Sequence, residues 1–235
     1  MAIFCGASGT NYVRYATGIP KSVFAGGAVT ISVWFQCAHA PGSGSVSTVV
    51  GLTGSSPAAG VQLQWDQTTA SFRQAWDVTN NGSGFAAAAY TGLTSNTWYH
   101  LLFTYGSPGS ADARAYLNGV FKTVNSTVAN VMTASTGAYV PVVFANTGGS
   151  NLMTNGTAAD FAIWNVALTQ SEITSLAQGA RPSEIRPTAL ALYWPLFNLQ
   201  TTEADLSGNK RNGTVTGTVT TANDPQVQAY ATNAG

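Results

Sequence analysis

The chain has 235 residues, only 8% of them charged, with nine basic residues balancing nine acidic ones. Ordinary globular chains carry about 25% charge. The few Lys and Arg are scattered rather than clustered along a phosphate-binding track, so nucleic acid is not an expected partner. Nor is a membrane, because no apolar run approaches the roughly 20 residues of a spanning helix.

MAIFCGASG has neither the basic start nor the apolar length of a secretion signal, so none is expected. Cys5 and Cys37 are too few for a disulfide framework. They are expected as buried free thiols, with a pairing between them left open. Val29 to Cys37 alternates, with Val29, Ile31, Val33, Phe35 and Cys37 on one face. Val61 to Trp65 and Ser71 to Asp77 form two strands joined through Gln67, Thr68 and Thr69. Gln62, Gln64 and Asp66 share a face of the first, and Arg73 and Asp77 share a face of the second. Trp98 to Tyr105 is apolar on both faces, as a central strand is. Asn118-Gly119 between two apolar runs predicts a two-residue hairpin with positive φ at both positions. Tyr139 to Ala145 is a further strand, with Pro141 near its start.

Asp160 to Gly179 carries the most information. Its first half alternates, with Phe161, Ile163 and Asn165 on one face and Asp160, Ala162 and Trp164 on the other. Its second half predicts a short helix. Thr169 is the N-cap, Glu172 closes a capping box, Ile173 and Leu176 form the apolar stripe, and Gly179 ends it. The tail adds LALYWPLF (Leu190 to Phe197) and DLSGNKRNGTVTG (Asp205 to Gly217).

The "ISVW" strand, the "WYH" opening another, "YLNG" in a hairpin and "DFAIWNVALTQSEI" follow one another over residues 11–179. This order resembles the laminin-G-like domains of the concanavalin A-like lectin and glucanase jelly rolls. The resemblance implies an all-β fold: a concanavalin-type β-sandwich of two antiparallel sheets, with one short helix near the C-terminal third. Residues 1–235 are then one domain, with a core over about 11–179, a connecting arm over 180–189 and completing strands over 190–235. In many members an element like the tail comes first in the chain. Here it follows the helix, so it either completes the sandwich at home or reaches to a neighbouring subunit. The resemblance also implies that Trp34, Trp98, Trp164 and Trp194 are structural.

That fold hosts many functions, so the chemistry must come from residues. Glycosidases of this fold resemble one another in an E-x-D-x-x-E strand pattern, which this chain lacks. Its three glutamates are Glu172 in the cap, Glu184 in the arm and Glu203 in a loop. A retaining hydrolase needs two carboxyls about 5–5.5 Å apart, and the pair Glu203 and Asp205 is expected to be a solvated turn. His39 is assigned to a loop and His100 to the core, with a satisfied hydrogen bond. No enzyme is expected. Calcium is a possible cofactor by resemblance. Asp205, Ser207 and Asn209 offer oxygens around a Gly turn, and Asp160 occupies a position where the family motif places an acid; an Asx-turn or strand-end bond is the rival account. For a glycan, Trp65, Asp66, Arg73, Trp76, Asp77 and Tyr90 form a candidate groove, with core packing the alternative for both tryptophans.

The expected function is a non-catalytic structural or accessory protein of a viral particle, a bacteriophage capsid-decoration or tail-associated protein. It would bind other virion proteins or copies of itself, and host glycans as a further partner. Met1 to Thr10 or Gln200 to Gly235 would then be buried by other chains. The alternative is a secreted or cell-surface lectin-like module, located outside the cell.

Overall fold

The computed structural model describes residues 2–6, 10–38, 46–54, 60–66, 71–77, 86–90, 93–106, 113–122, 132, 137–145, 152–197 and 201–225, with the backbone alone at 46, 71–77 and 86–90. His39 lies outside them.

The strands in chain order are β1 (Ala2–Phe4), β2 (Tyr12–Arg14), β3 (Val29–Cys37), β4 (Val46–Gly54), β5 (Gly60–Asp66), β6 (Ser71–Asp77), β7 (Ala86–Tyr90) and β8 (Tyr99–Tyr105). They continue with β9 (Arg114–Leu117), β10 (Val120–Lys122), β11 (Tyr139–Val143), β12 (Gly156–Trp164), β13 (Leu190–Trp194), β14 (Thr202–Glu203), β15 (Gly213–Thr216) and β16 (Thr220–Ala222). One sheet runs β10-β9-β8-β3-β12-β1-β16, with β13 also on β12. The other runs β14-β15-β2-β11-β4-β5-β6-β7. Every pairing is antiparallel. The main core lies between the sheets, filled by alternate residues such as Ile31, Val33 and Phe35 of β3 and Phe161 and Ile163 of β12. This is the expected concanavalin-type sandwich.

The helix α1 (Gln170–Ala177) forms as its signals dictate. Thr169 accepts from the Glu172 N–H, and the Glu172 carboxylate accepts from the Thr169 N–H, closing the capping box. Gly179 at φ 97° lets the Ala180 N–H reach the Ser175 carbonyl, satisfying a carbonyl at the helix end. Ile173 and Leu176 press the helix on the outer face of the first sheet, over Leu102, Tyr116, Ala162 and Trp164. The Asn118-Gly119 hairpin has positive φ at both residues, 50° and 77°.

The tail pairs within the chain. β13 lies on β12, β15 on β2, and β16 on β1. Ala2 and Ile3 are buried by their own sheet. Cys5 and Cys37 are free thiols on either side of Gly156. Cys37 is its register partner on β3, while the Cys5 N–H donates to its carbonyl from the other side. Neighbouring strands stand about 4.8 Å apart, so two strand spacings exceed the reach of a disulfide. Burial pushes the Cys5 thiol up to about 12.

Candidate functional site

The expected glycan groove divides. Val61, Leu63 and Trp65 of β5 belong to the core, and Trp65 is 2% exposed with its ring 6.3 Å from that of Phe35. Its indole is withdrawn from solvent, so it offers no platform, which corrects that candidate. Gln62 and Gln64 alternate with these residues and lie on the sheet's outer face. There the Gln64 amide donates to Gln62 Oε1 at 3.0 Å, and Thr48 Oγ1 donates to the same oxygen at 3.3 Å. Thr48 and Gln64 are themselves buried. Asp66 is half-buried at the strand end. The register places Arg73 opposite Gln64, Asp77 opposite Gly60, Trp76 opposite Val61, and Tyr90 opposite Phe72. The side chains of Arg73, Trp76, Asp77 and Tyr90 lie outside the described residues.

The expected calcium ligands are also separated by the structure. Asp205 accepts three backbone N–H bonds, from Tyr193 and Ser207 on Oδ1 and from Arg211 on Oδ2, at 3.0, 3.0 and 2.9 Å. Ser207 Oγ accepts from the Asn209 N–H, and the Asn209 amide donates to the Leu190 carbonyl at 3.0 Å. These groups clip the loop Asp205 to Asn209 onto β13. The oxygens of Asp205 and Ser207 thus serve the turn, the rival account that the sequence offered beside calcium. Among the described residues no group of three or more His, Cys, Asp and Glu converges on a point.

Asp160 stands elsewhere, at a defect in β12. The register of β12 against β3 runs from Gly156 to Ala159, breaks, and resumes at Ala162. Asp160 occupies the break with φ 51°, a left-handed conformation that Asp tolerates better than most residues. Such bulges re-aim a side chain out of the ladder. On the other flank of β12, β1 pairs the first half and β13 the second. Asp160 therefore sits where two partner strands meet, its N–H donating to the Pro195 carbonyl at 3.2 Å. Its Oδ1 accepts from the Tyr193 hydroxyl at 2.7 Å. No basic residue forms an ion pair with it among the described residues. Burial pushes its carboxyl above the ordinary value and Asp224 adds to the rise, against the pull of the Tyr193 bond, the N-terminal ammonium and Arg181. Burial and then the neighbouring Asp160 charge push the Tyr193 hydroxyl up as well.

The bulge opens on a hollow of about 510 Å³ beside the end of α1. Trp34 in its wall packs on the outer sheet face with Ala2, Ala159, Ala222 and Trp98. Trp34, Tyr193 and Phe197 supply aromatic surface, Leu206 an apolar edge, and Asp160, Asp224, Arg181 and Ser183 the polar groups. Phe197 and Leu206 are 46% and 49% exposed, unusual for apolar side chains in this fold. The sequence assigned Trp34 to structure and singled out neither Arg181, Tyr193, Phe197 nor Asp224. The one signal was Asp160, the sole charged residue in β12. A second hollow, of about 610 Å³, lies between Tyr116, Phe121 and the start of α1. The Gln170 amide in its wall is already spent on the Gly119 carbonyl and Thr174.

His100 is core, 1% exposed, with Nε2 2.8 Å from Ser32 Oγ. Its Nδ1 is buried without a partner among the described residues, and burial lowers its pKa to about 3.

The concanavalin A-like lectin/glucanases superfamily model matches residues 7–174, and the chain belongs to that superfamily. Among curated proteins none matches. A candidate carbohydrate binding protein from Bacteroides ovatus ATCC 8483 is similar in fold, with 16% identity and a TM-score of 0.66. The match covers 96% of this chain and 61% of that one. A native heptameric SAP-like pentraxin from Limulus polyphemus is similar with 15% identity and a TM-score of 0.56, over 75% of this chain and 81% of that one.

Proposed function

We propose that this member of the concanavalin A-like lectin/glucanases superfamily is a non-catalytic carbohydrate-binding module, with its sugar site in the hollow beside Asp160. The lining of that hollow carries the reading. Ligand pockets are concave, mostly apolar with a few fixed polar groups, and within about 300–1,000 Å³. This hollow has that size, with a lining more polar than apolar, as suits a hydroxyl-rich ligand. Here the exposed Phe197 ring stands beside Asp160, Arg181 and Ser183, with the edges of the largely buried Trp34 and Tyr193 below it. The C–H faces of a pyranose pack on such rings, while its hydroxyls bond to a carboxylate and a guanidinium, the stronger class of hydrogen bond. The similar Bacteroides ovatus protein, named for carbohydrate binding, adds support at the level of the fold.

A glycan array with the intact protein tests the reading, alongside Phe197→Ala and Arg181→Ala. Both side chains are exposed, so neither change should lower the melting temperature. Each should weaken sugar binding about tenfold or more, near 1.4 kcal/mol. Unchanged affinity in both variants would move the site elsewhere, and release of reducing sugar would overturn the non-catalytic part. The virion reading draws support from composition alone. A native mass far above one chain would favour it.

A further inference from the structure

We infer that the hollow between β10 and the start of α1 is a second sugar site, which takes an uncharged glycan independently of the first. It rests on the carbohydrate-binding reading but shares no residue with the hollow beside Asp160. The two lie at opposite ends of α1, this one walled by Thr169 and Gln170, the other by Gly179.

Alternation along β8 and β9 sets its floor. Phe103 and Ala115 belong to the core between the sheets, so Thr104, Arg114 and Tyr116 face outward. Arg114 stands opposite Thr104, and Phe121 of β10 stands opposite Tyr116. Thr104 and Tyr116 are 3% and 4% exposed, yet both line the hollow. Neither hydroxyl has a hydrogen-bond partner among the described residues, and neither is sealed beneath the surface. A hydroxyl gives one hydrogen bond and accepts two, and holding it back from water without a partner is costly. Sugar hydroxyls give and accept in the same way, with no charge required.

The walls are fixed before any ligand arrives. Thr30 Oγ1 donates to the Val166 carbonyl at 2.7 Å and accepts from the Leu168 N–H at 3.0 Å, pinning the loop that carries Ala167 and Leu168. The Gln170 amide holds the helix start to the Gly119 carbonyl at 2.8 Å. Phe121 is 51% exposed, and its ring meets that of Tyr116 edge-on at 5.7 Å. An exposed aromatic face thus stands beside two unpartnered hydroxyls. That is the pairing of apolar surface with fixed polar groups that a pyranose needs. A preformed wall also spares the entropy of ordering one on binding. The lining holds no carboxylate, so an amine or a metal ion finds no counter-charge there.

The test is calorimetric titration of the intact protein with cellotetraose, laminaritetraose, xylotetraose and mannotetraose. The background carries Phe197→Ala and Arg181→Ala together, which disables the first hollow. At least one of these sugars should still bind it. Adding Phe121→Ala should weaken that binding about tenfold, and adding Tyr116→Phe instead should weaken it about fivefold. Both should melt with the background, because Phe121 is exposed and the Tyr116 hydroxyl has no partner to lose among the described residues. Loss of all binding in the background itself, with the parent still binding, would overturn the second site and leave the first standing. Affinity left at the background value by either added change would overturn it too. Binding of none of the four sugars by the parent would overturn the sugar reading of both hollows.

Discussion

The Tyr193 hydroxyl donates to the Asp160 carboxylate at 2.7 Å, and the backbone N–H of the same tyrosine donates to Asp205 at 3.0 Å. One residue of β13 thus ties the bulge in β12 to the loop that follows β13. Asp160 is held out of the ladder by its own positive φ and kept in place by a side chain 33 positions away in sequence. The two acids have opposite roles, one saturated by backbone donors and one left facing a hollow.

That difference gives the first prediction. Folding holds the Asp160 proton more tightly than the unfolded chain does, because burial raises its pKa above the ordinary 3.8. Stability from this group is therefore greatest at low pH and falls as pH rises from about that ordinary value through the folded one. Asp160→Asn keeps an acceptor for Tyr193 and removes the charge. It should melt higher than the parent at pH 7, and the gap should close in acid, as followed by circular dichroism.

His100 works in the reverse sense. Its folded pKa is about 3 against an ordinary 6.5, so the buried neutral ring contributes stability that is complete above pH 6.5 and lost as pH falls toward 3. The slope reaches about 1.4 kcal/mol per pH unit in that window. His100→Gln, with an amide to meet Ser32, should flatten that acid limb in urea titrations at a series of pH values.

Asp205→Ala would leave three backbone donors without their acceptor and release the loop from β13. A net hydrogen bond contributes about 1 kcal/mol and somewhat more to a charged acceptor, so a loss of about 3 kcal/mol is expected in urea denaturation. Millimolar calcium should not raise the melting temperature of the parent, because the same oxygens are already occupied.

Trp65→Ala should destabilise by about 3–5 kcal/mol, the range for removing a large aromatic from a core. Trp65→Phe should recover most of that loss. Neither should change relative affinities among sugars at a temperature where the protein is folded. A selective loss of sugar binding with full stability would restore Trp65 as a ligand residue.

Much of this fold follows from local signals. Thr169 and Glu172 announced the helix start, Gly179 its end, and Asn118-Gly119 the hairpin, because each depends on chemistry within a few residues. The alternation of β5 likewise set Val61, Leu63 and Trp65 apart from Gln62 and Gln64, although which face met the core depended on the second sheet. The hollow was not legible, for a specific reason. A period-two reading of β12 runs straight through Asp160, whereas Ala159 and Ala162 both lie on the outer face, which strict alternation forbids. The extra residue is invisible until β3, β1 and β13 pair with the strand. The walls of the hollow come from residues 34, 181, 193, 197 and 224, and only pairing of the tail brings them together.

Strands from early and late in the chain meet as ladder partners. Ala2 stands opposite Ala222, and in the other sheet Tyr12 stands opposite Thr216. β2 must wait for β11 and β1 for β12 before either joins its sheet, and their second neighbours, β15 and β16, come later still. Contacts of such sequence separation form slowly, and the unsatisfied strand edges are open to the wrong partner meanwhile. The same adjacency makes the described ladder order close to circular, since β1 lies beside β16. A linker from β16 to β1, with the chain reopened at a distant surface turn, would leave the described ladders in place.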